Sequence, residues 1–300
     1  MSVLVATSDG CHVFTGTGTS FTALDGRAVR AFAASPDGTW FAIVDGRELW
    51  AHAPGDGWRV RATWDAGLST VHVHHGTPYV GTRDARLVRL VGDTLEPVEA
   101  FDRVPGRAEW HSVGAPLSIR SMTSTSDGTA LLASVHVRGI PRSTDDGASW
   151  APTLPVHDDV HEVRAHPDDP SLVVAAAAVG LGRSDDGGAT WVVETDGLVH
   201  TYARAVAFTD VDILVSVAAG PHARRSTICA RPINGGRFTR VEHGLPDDGL
   251  QGIVDTACLA GQGLDVALAD GAGDVWGRHG DGAWVRVAAA VGEVSAVAIT

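Results

Sequence analysis

Ser143-Thr-Asp-Asp-Gly-Ala-Ser-Trp150 and Ser184-Asp-Asp-Gly-Gly-Ala-Thr-Trp191 are two copies of one phrase, Ser-x-Asp-x-Gly-x-(Ser/Thr)-Trp, with their tryptophans 41 residues apart. A fixed period near that length marks a repeat architecture, in which each unit buries its apolar face on its neighbours. Reading outward, each phrase is preceded by an apolar strand, a turn, a second strand and a short third strand, and is followed by a fourth. The pattern recurs at residues 28–67, where Val29-Arg-Ala-Phe-Ala, Trp40-Phe-Ala-Ile-Val and Glu48-Leu-Trp lead to Trp58, and again, without the aromatic, at 68–101. Two degenerate copies end at Phe238 and Trp284, at spacings of 47 and 46 residues.

Six units are complete and the chain ends supply a seventh. Val294-Ser-Ala-Val-Ala-Ile299 reads as a first strand with nothing after it, while Val3-Leu-Val-Ala-Thr, His12-Val-Phe and Phe21-Thr-Ala-Leu read as second, third and fourth strands. A circular array joins these pieces and leaves no exposed sheet edge. The expectation is an all-β, seven-bladed β-propeller of four-stranded antiparallel blades, forming one domain over 1–300 and closed by the C-terminal strand. An open solenoid would want polar capping repeats, and the apolar Ala296–Thr300 end is a poor cap.

The two phrases resemble the Asp box of the BNR-repeat propeller superfamily, which includes sialidases, sortilin-type receptors and photosystem assembly factors. The unit from Pro167 through Trp191 looks like many bacterial repeat proteins of the WD40/YVTN-like kind. The resemblance implies that the phrase is a structural turn between third and fourth strands, on the face away from ligand sites. In that turn Ser143, Asp145, Ser184 and Asp186 would make the turn bonds, Gly147 and Gly188 would supply permissive backbone, and Trp150 and Trp191 would wedge between blades. A sialidase mechanism is poorly matched: Arg30, Arg120 and Arg204 could imitate the three carboxylate-binding arginines, but Tyr79 and Tyr202 are the only tyrosines, and sialidases have six blades.

Composition narrows the remaining chemistry. A formal charge of −13 disfavours nonspecific binding to nucleic acid or anionic membrane. All 23 basic residues are arginine, which removes Schiff-base chemistry, a P-loop lysine and a catalytic lysine base, and makes any cationic site an anion clamp. The start Met1-Ser-Val-Leu-Val-Ala-Thr-Ser has no basic, apolar leader pattern, and Cys11, Cys229 and Cys258 are widely spaced, so the expected setting is cytoplasmic without disulfides.

Aligning the innermost strands predicts a ring of equivalent polar positions: Arg30, Thr70, Arg120, His161, Arg204, Asp255 and Ser295. Polar groups at one point of otherwise apolar strands are costly to bury dry, so the ring should face water or a ligand. The three arginines are placed to grip a carboxylate, phosphate or sulfate, or to pair with Asp255, Glu162 and loop acids. The long connection Asp102–Ser118 carries Trp110 and His111 toward the same mouth, with Trp110 able to stack on a ligand or to seal the loop. His136, Arg138, Tyr202 and His222 should approach that rim.

For metals, Val71-His72-Val-His74-His75 puts residues 72 and 74 on one side of a strand, yet no third ligand is identifiable, so ordinary strand and turn histidines are expected. His161-Glu162-Val-Arg-Ala-His166 has the wrong spacing and the wrong secondary structure for a zinc-protease helix. No metal and no cofactor is therefore expected. The leading expectation is a module binding a small anionic or sugar-like ligand, or a protein segment, at the mouth. The alternatives are a glycoside hydrolase or metal-assisted hydrolase or lyase using rim histidines and arginines, and a protein-interaction scaffold.

Overall fold

The computed structural model describes residues 1–16, 18–111, 116–154 and 159–300. It is a seven-bladed β-propeller, and each blade contains a four-stranded antiparallel sheet. The first blade is β1 (Ser2–Thr7), β2 (Gly10–Thr15) and β3 (Gly18–Ala23), and the second is β4 (Val29–Ala34), β5 (Trp40–Val44), β6 (Glu48–His52) and β7 (Arg59–Thr63). The third holds β8 (Leu68–His74), β9 (Thr77–Thr82), β10 (Leu87–Val91) and β11 (Thr94–Pro97). The fourth holds β12 (Ile119–Ser124), β13 (Leu131–Val135), β14 (Ile140–Ser143) and β15 (Ala151–Leu154). The fifth is β16 (Val160–Ala165), β17 (Val173–Ala177), β18 (Gly180–Ser184) and β19 (Val192–Glu194). In the sixth, β20 (Tyr202–Phe208), β21 (Asp212–Ala218), β22 (Arg225–Pro232) and β23 (Thr239–Arg240) are joined by β24 (Leu250–Gln251), an added strand on β22 that the repeat pattern did not foretell. The seventh is β25 (Leu259–Gln262), β26 (Asp265–Ala269), β27 (Val275–Arg278) and β28 (Val285–Ala288).

The last strand, β29 (Val294–Ile299), completes the first blade, pairing antiparallel with β1 from Val3↔Ile299 to Thr7↔Val294. This is the closure the chain ends implied. Two compact units are distinguishable, one of residues Val29–Ala175 and Arg183–Val192, the other of Met1–Ala28, Ala176–Gly182 and Val193–Thr300.

In the Val29–Ala175 unit, one core cluster gathers Phe41, Ile43, Leu49, Val71 and Val80, and a second gathers Tyr79, Leu87, Phe101, Ile119, Leu131 and Trp150. Trp150 meets Phe101 edge to face at 5.0 Å, a geometry that adds about 0.5–1.5 kcal/mol to area burial. In the other unit, Val3, Val5, Phe14, Ala267, Val275 and Val297 form one core, and Leu214, Ile228, Leu250, Leu259, Val266 and Trp284 another.

The two eight-residue phrases fold alike. Ser143 and Ser184 donate to Asp145 and Asp186 at 2.8 Å and accept from the Gly147 and Gly188 amides. Each aspartate then accepts the backbone N–H and hydroxyl of Ser149 or Thr190. Gly147 and Gly188 have φ of 81° and 83°, where L side chains are strained. The carbonyl after each aspartate fastens the preceding blade: Tyr79 Oη donates to Asp146 O at 2.8 Å, and Arg142 Nε to Gly187 O at 2.8 Å. The indoles diverge, since Trp150 is buried and donates to Gly147 O, whereas half-buried Trp191 donates to Thr153 Oγ1.

Candidate functional site

Five of the innermost strands share a feature that explains why polar residues recur near their starts. Their registers slip by one residue there, between Val29 and Ala31, Leu68 and Thr70, Ile119 and Ser121, and Ala203 and Ala205, and in β29 between Val294 and Ala296. The extra residues are Arg30, Ser69, Arg120, Arg204 and Ser295. A β-bulge leaves its extra residue out of the ladder and re-aims the side chain. Accordingly all five are partly or fully exposed, while Val29, Ala31, Leu68, Thr70, Ile119, Ser121, Ala203 and Ala205 beside them are buried.

Two predicted ring members shift. In the third blade the bulged residue is Ser69, whose hydroxyl donates to Ile119 O at 2.7 Å, and Thr70 is buried in the ladder. Asp255 precedes β25 rather than standing within it, because the chain turns at Thr256 and Ala257, the latter at φ 62°, before pairing begins at Leu259.

Within the Val29–Ala175 unit two groupings form at these strand starts. Arg30 on β4 lies beside Arg83, which follows β9: a methyl group placed on Gly46 would be 3.2 Å from Arg30 Nε and 3.5 Å from Arg83 Nη2. Both arginines are exposed, and neither makes an ion pair among the described residues. Burial lowers the Arg83 pKa first and the charge of Arg30 second. Sequence reasoning missed Arg83 because it lies in a turn outside the aligned strands.

The second grouping centres on Asp159, also missed, just before β16. His161 Nε2 lies 3.3 Å from Asp159 Oδ2 and His136 Nε2 3.4 Å from Oδ1. Burial opposes ionisation of Asp159, but the His161 hydrogen bond and the charges of His161, His136 and Arg120 outweigh it and lower its pKa. His136 is lowered chiefly by burial, against its contact with Pro116 O at 3.1 Å. Buried Arg138 donates to Val137 O at 2.8 Å and to His111 O, pinning exposed His111 to this rim. His136, Asp159 and His161 could hold a metal ion by donor type, although Arg120 beside them opposes a cation.

Trp110 turns inward. It packs edge to face on Phe101 at 6.0 Å, and the Arg107 guanidinium covers its ring at 4.5 Å, so the indole seals the long connection. Residues 112–115 of that connection lie outside the described residues.

In the other unit, Arg204 is engaged: it donates Nε to Asp255 Oδ1 at 2.9 Å and Nη2 to Oδ2 at 2.6 Å, while Nη1 lies 3.1 Å from Tyr202 Oη. Burial lowers the Arg204 pKa, but the Asp255 hydrogen bond and charge prevail and raise it. Half-buried Ser295 holds the β29 bulge, and His222 is exposed on the turn after β21.

The fold thus defines a propeller with polar bulges at the starts of five inner strands. No protein-family model matches the chain, and no curated protein does. Among solved structures it is similar to an ancestral GH74 enzyme, with a TM-score of 0.64 and 14% identity over 95% of this chain and 40% of that one. It is also similar to the GH74 xyloglucanase from Xanthomonas campestris (TM-score 0.60, 14% identity, 94% and 46% covered) and to the GH74 enzyme of Niastella koreensis (0.59, 12%, 90% and 42%). The chain spans less than half the length of each. At these identities the likeness is one of fold.

Proposed function

We propose that the chain is an Asp-box propeller module that binds a small anionic ligand, such as a sugar acid or phosphate ester, at the bulged strand starts of the Val29–Ala175 unit. The observation carrying this reading is the Arg30–Arg83 pair. Two adjacent guanidiniums without a carboxylate repel each other, and a carboxylate or phosphate seated between them removes that repulsion while accepting two planar forks. Arg204 fits the role less well, because Asp255 already fills its fork.

The test is titration of the full chain with inorganic phosphate and with D-glucuronate, followed calorimetrically. A hydrogen bond to a charged group is worth about 1.5–3 kcal/mol, so Arg30→Ala and Arg83→Ala should each weaken binding roughly 10- to 100-fold. Unchanged affinity in both variants, or no binding by the unaltered chain, overturns the proposal.

A glycoside hydrolase is the second reading, favoured by the fold likeness to GH74 enzymes. Such chemistry commonly needs two carboxylates flanking the scissile bond. At the start of β16, Asp159 is held between two imidazoles, and Glu162 is buried and bonded to Arg164 at 2.5 Å. Xyloglucan turnover lost in Asp159→Asn would make the hydrolase the better account.

A further inference from the structure

The turn face of the third and fourth blades carries a second cluster that the ligand-binding reading does not use. β8 ends at His74, and His75 follows with φ 46°, a left-handed conformation that folds its ring back onto His74. The two imidazoles stack at 4.2 Å and 19°. The third member comes from the phrase Ser143–Trp150. Asp146 occupies the place that Gly187 holds in the second copy, at φ 54° against 67°. Its Oδ1 lies 3.0 Å from His74 Nε2 and 3.2 Å from His75 Nδ1.

Those separations decide the chemistry the cluster suits. Zinc bound tetrahedrally, with Zn–N and Zn–O near 2.0–2.2 Å, spaces its ligand atoms by about 3.3 Å. All three donor atoms here lie within 4.8 Å of one another. The other nitrogen of His74 is already supported. His74 Nδ1 lies 2.8 Å from Ser124 Oγ, which is itself 2.8 Å from His72 Nε2. His74 Nδ1–H can therefore donate to Ser124, and Ser124 to His72, leaving the His74 Nε2 lone pair for a metal. Such outer partners fix the tautomer and orientation of a metal-binding histidine. The His75 ring rests on Gly128, where a methyl group would fall 2.3 Å from Nε2, so Nδ1 is the nitrogen turned to Asp146. His74 is buried, while the His75 and Asp146 side chains are 58% and 68% exposed. A cavity of about 360 Å³ opens beside them, lined also by Thr77, Tyr79 and Arg89.

We propose that His74 Nε2, His75 Nδ1 and an Asp146 carboxylate oxygen form a three-ligand site for a divalent transition-metal ion of the zinc class. Its fourth position opens to the cavity, where Arg89 is placed to balance a carboxylate or phosphate bound to the metal. The site joins two neighbouring blades, so metal binding also clamps them.

The full chain, stripped with a chelator, is titrated calorimetrically with Zn²⁺ alone, and separately with Co²⁺ followed by visible absorption. One equivalent of Zn²⁺ should bind, and Co²⁺ should give the intense bands of a tetrahedral site. His75→Gln and Asp146→Asn alter exposed side chains, and each should weaken Zn²⁺ binding at least 10-fold. The proposal is overturned by no saturable Zn²⁺ binding below 1 mM, by undiminished binding in the double variant, or by a purely octahedral Co²⁺ spectrum. The Co²⁺ measurement needs no variant, so it decides the matter even if a substitution disturbs folding.

Discussion

Gly188→Ala tests how the repeated phrase locks its blade to the preceding one. An added Cβ at Gly188 would fall 2.2 Å from Leu132 Cδ2, and Leu132 is fully buried, so its methyl cannot step aside without displacing core. Two costs combine. Placing a non-glycine residue at φ 83° costs about 1–2 kcal/mol, and overpacking a filled core about 1–3 kcal/mol. The equivalent Gly147→Ala carries only the first cost, since its Cβ would meet Tyr79 at an ordinary 3.4 Å. Denaturant titration of both variants should place Gly188→Ala about 1–3 kcal/mol below Gly147→Ala, with the same slope against denaturant. Leu132→Ala supplies the decisive control. It costs about 2–5 kcal/mol alone through the cavity it leaves, but that cavity receives the new methyl, so the double variant should be more stable than the sum predicts by about 1–3 kcal/mol. Additive effects, or equal losses at Gly147 and Gly188, would refute the inter-blade contact.

Further outcomes follow from the turns and the thiols. Slight desolvation opposes ionisation of exposed Asp186, but the Thr190 and Ser184 hydrogen bonds prevail and hold its pKa at about 2, below the ordinary 3.8. A depressed folded-state value means this stabilisation is complete above about pH 4 and is lost as the pH falls toward 2. Asp186→Asn should therefore flatten that segment of an acid-unfolding curve, and an unchanged curve would contradict the assignment. Cys11, Cys229 and Cys258 are all buried, and burial pushes the Cys11 thiol up to about 12. A thiol reagent at pH 8 should label none of the three in the native protein and all three in denaturant; rapid native labelling of Cys11 would show that the first blade opens.

Apolar periodicity and the phrase spacing made the seven blades and their closure legible, because core burial enforces a period at every strand. Positions set by local irregularity were harder to read. The alternation of residues does not announce a bulge, so a one-residue slip put Thr70 where Ser69 stands, and the turn at Thr256–Ala257 moved Asp255 out of its strand. Arg83 and Asp159 sit beside strands rather than in them. The histidine run was visible, but strand alternation pointed to the pair 72 and 74. The left-handed turn at His75 makes 74 and 75 the converging pair, and their carboxylate partner is 72 residues on from His74, in the next blade.

The pairing of β29 with β1 has a bearing on how the chain is made. Strands β1 to β3 are synthesised before the six other blades and their edge partner β29 after them, so this sheet must wait with unpaired backbone groups while every other blade can complete itself from contiguous sequence. Thr300 N donates to Ser2 O at 3.0 Å in the finished molecule. A circular permutant that links these residues and opens the chain between two blades would let all seven sheets form in order of synthesis, and the difference in refolding yield would measure the burden of the wait.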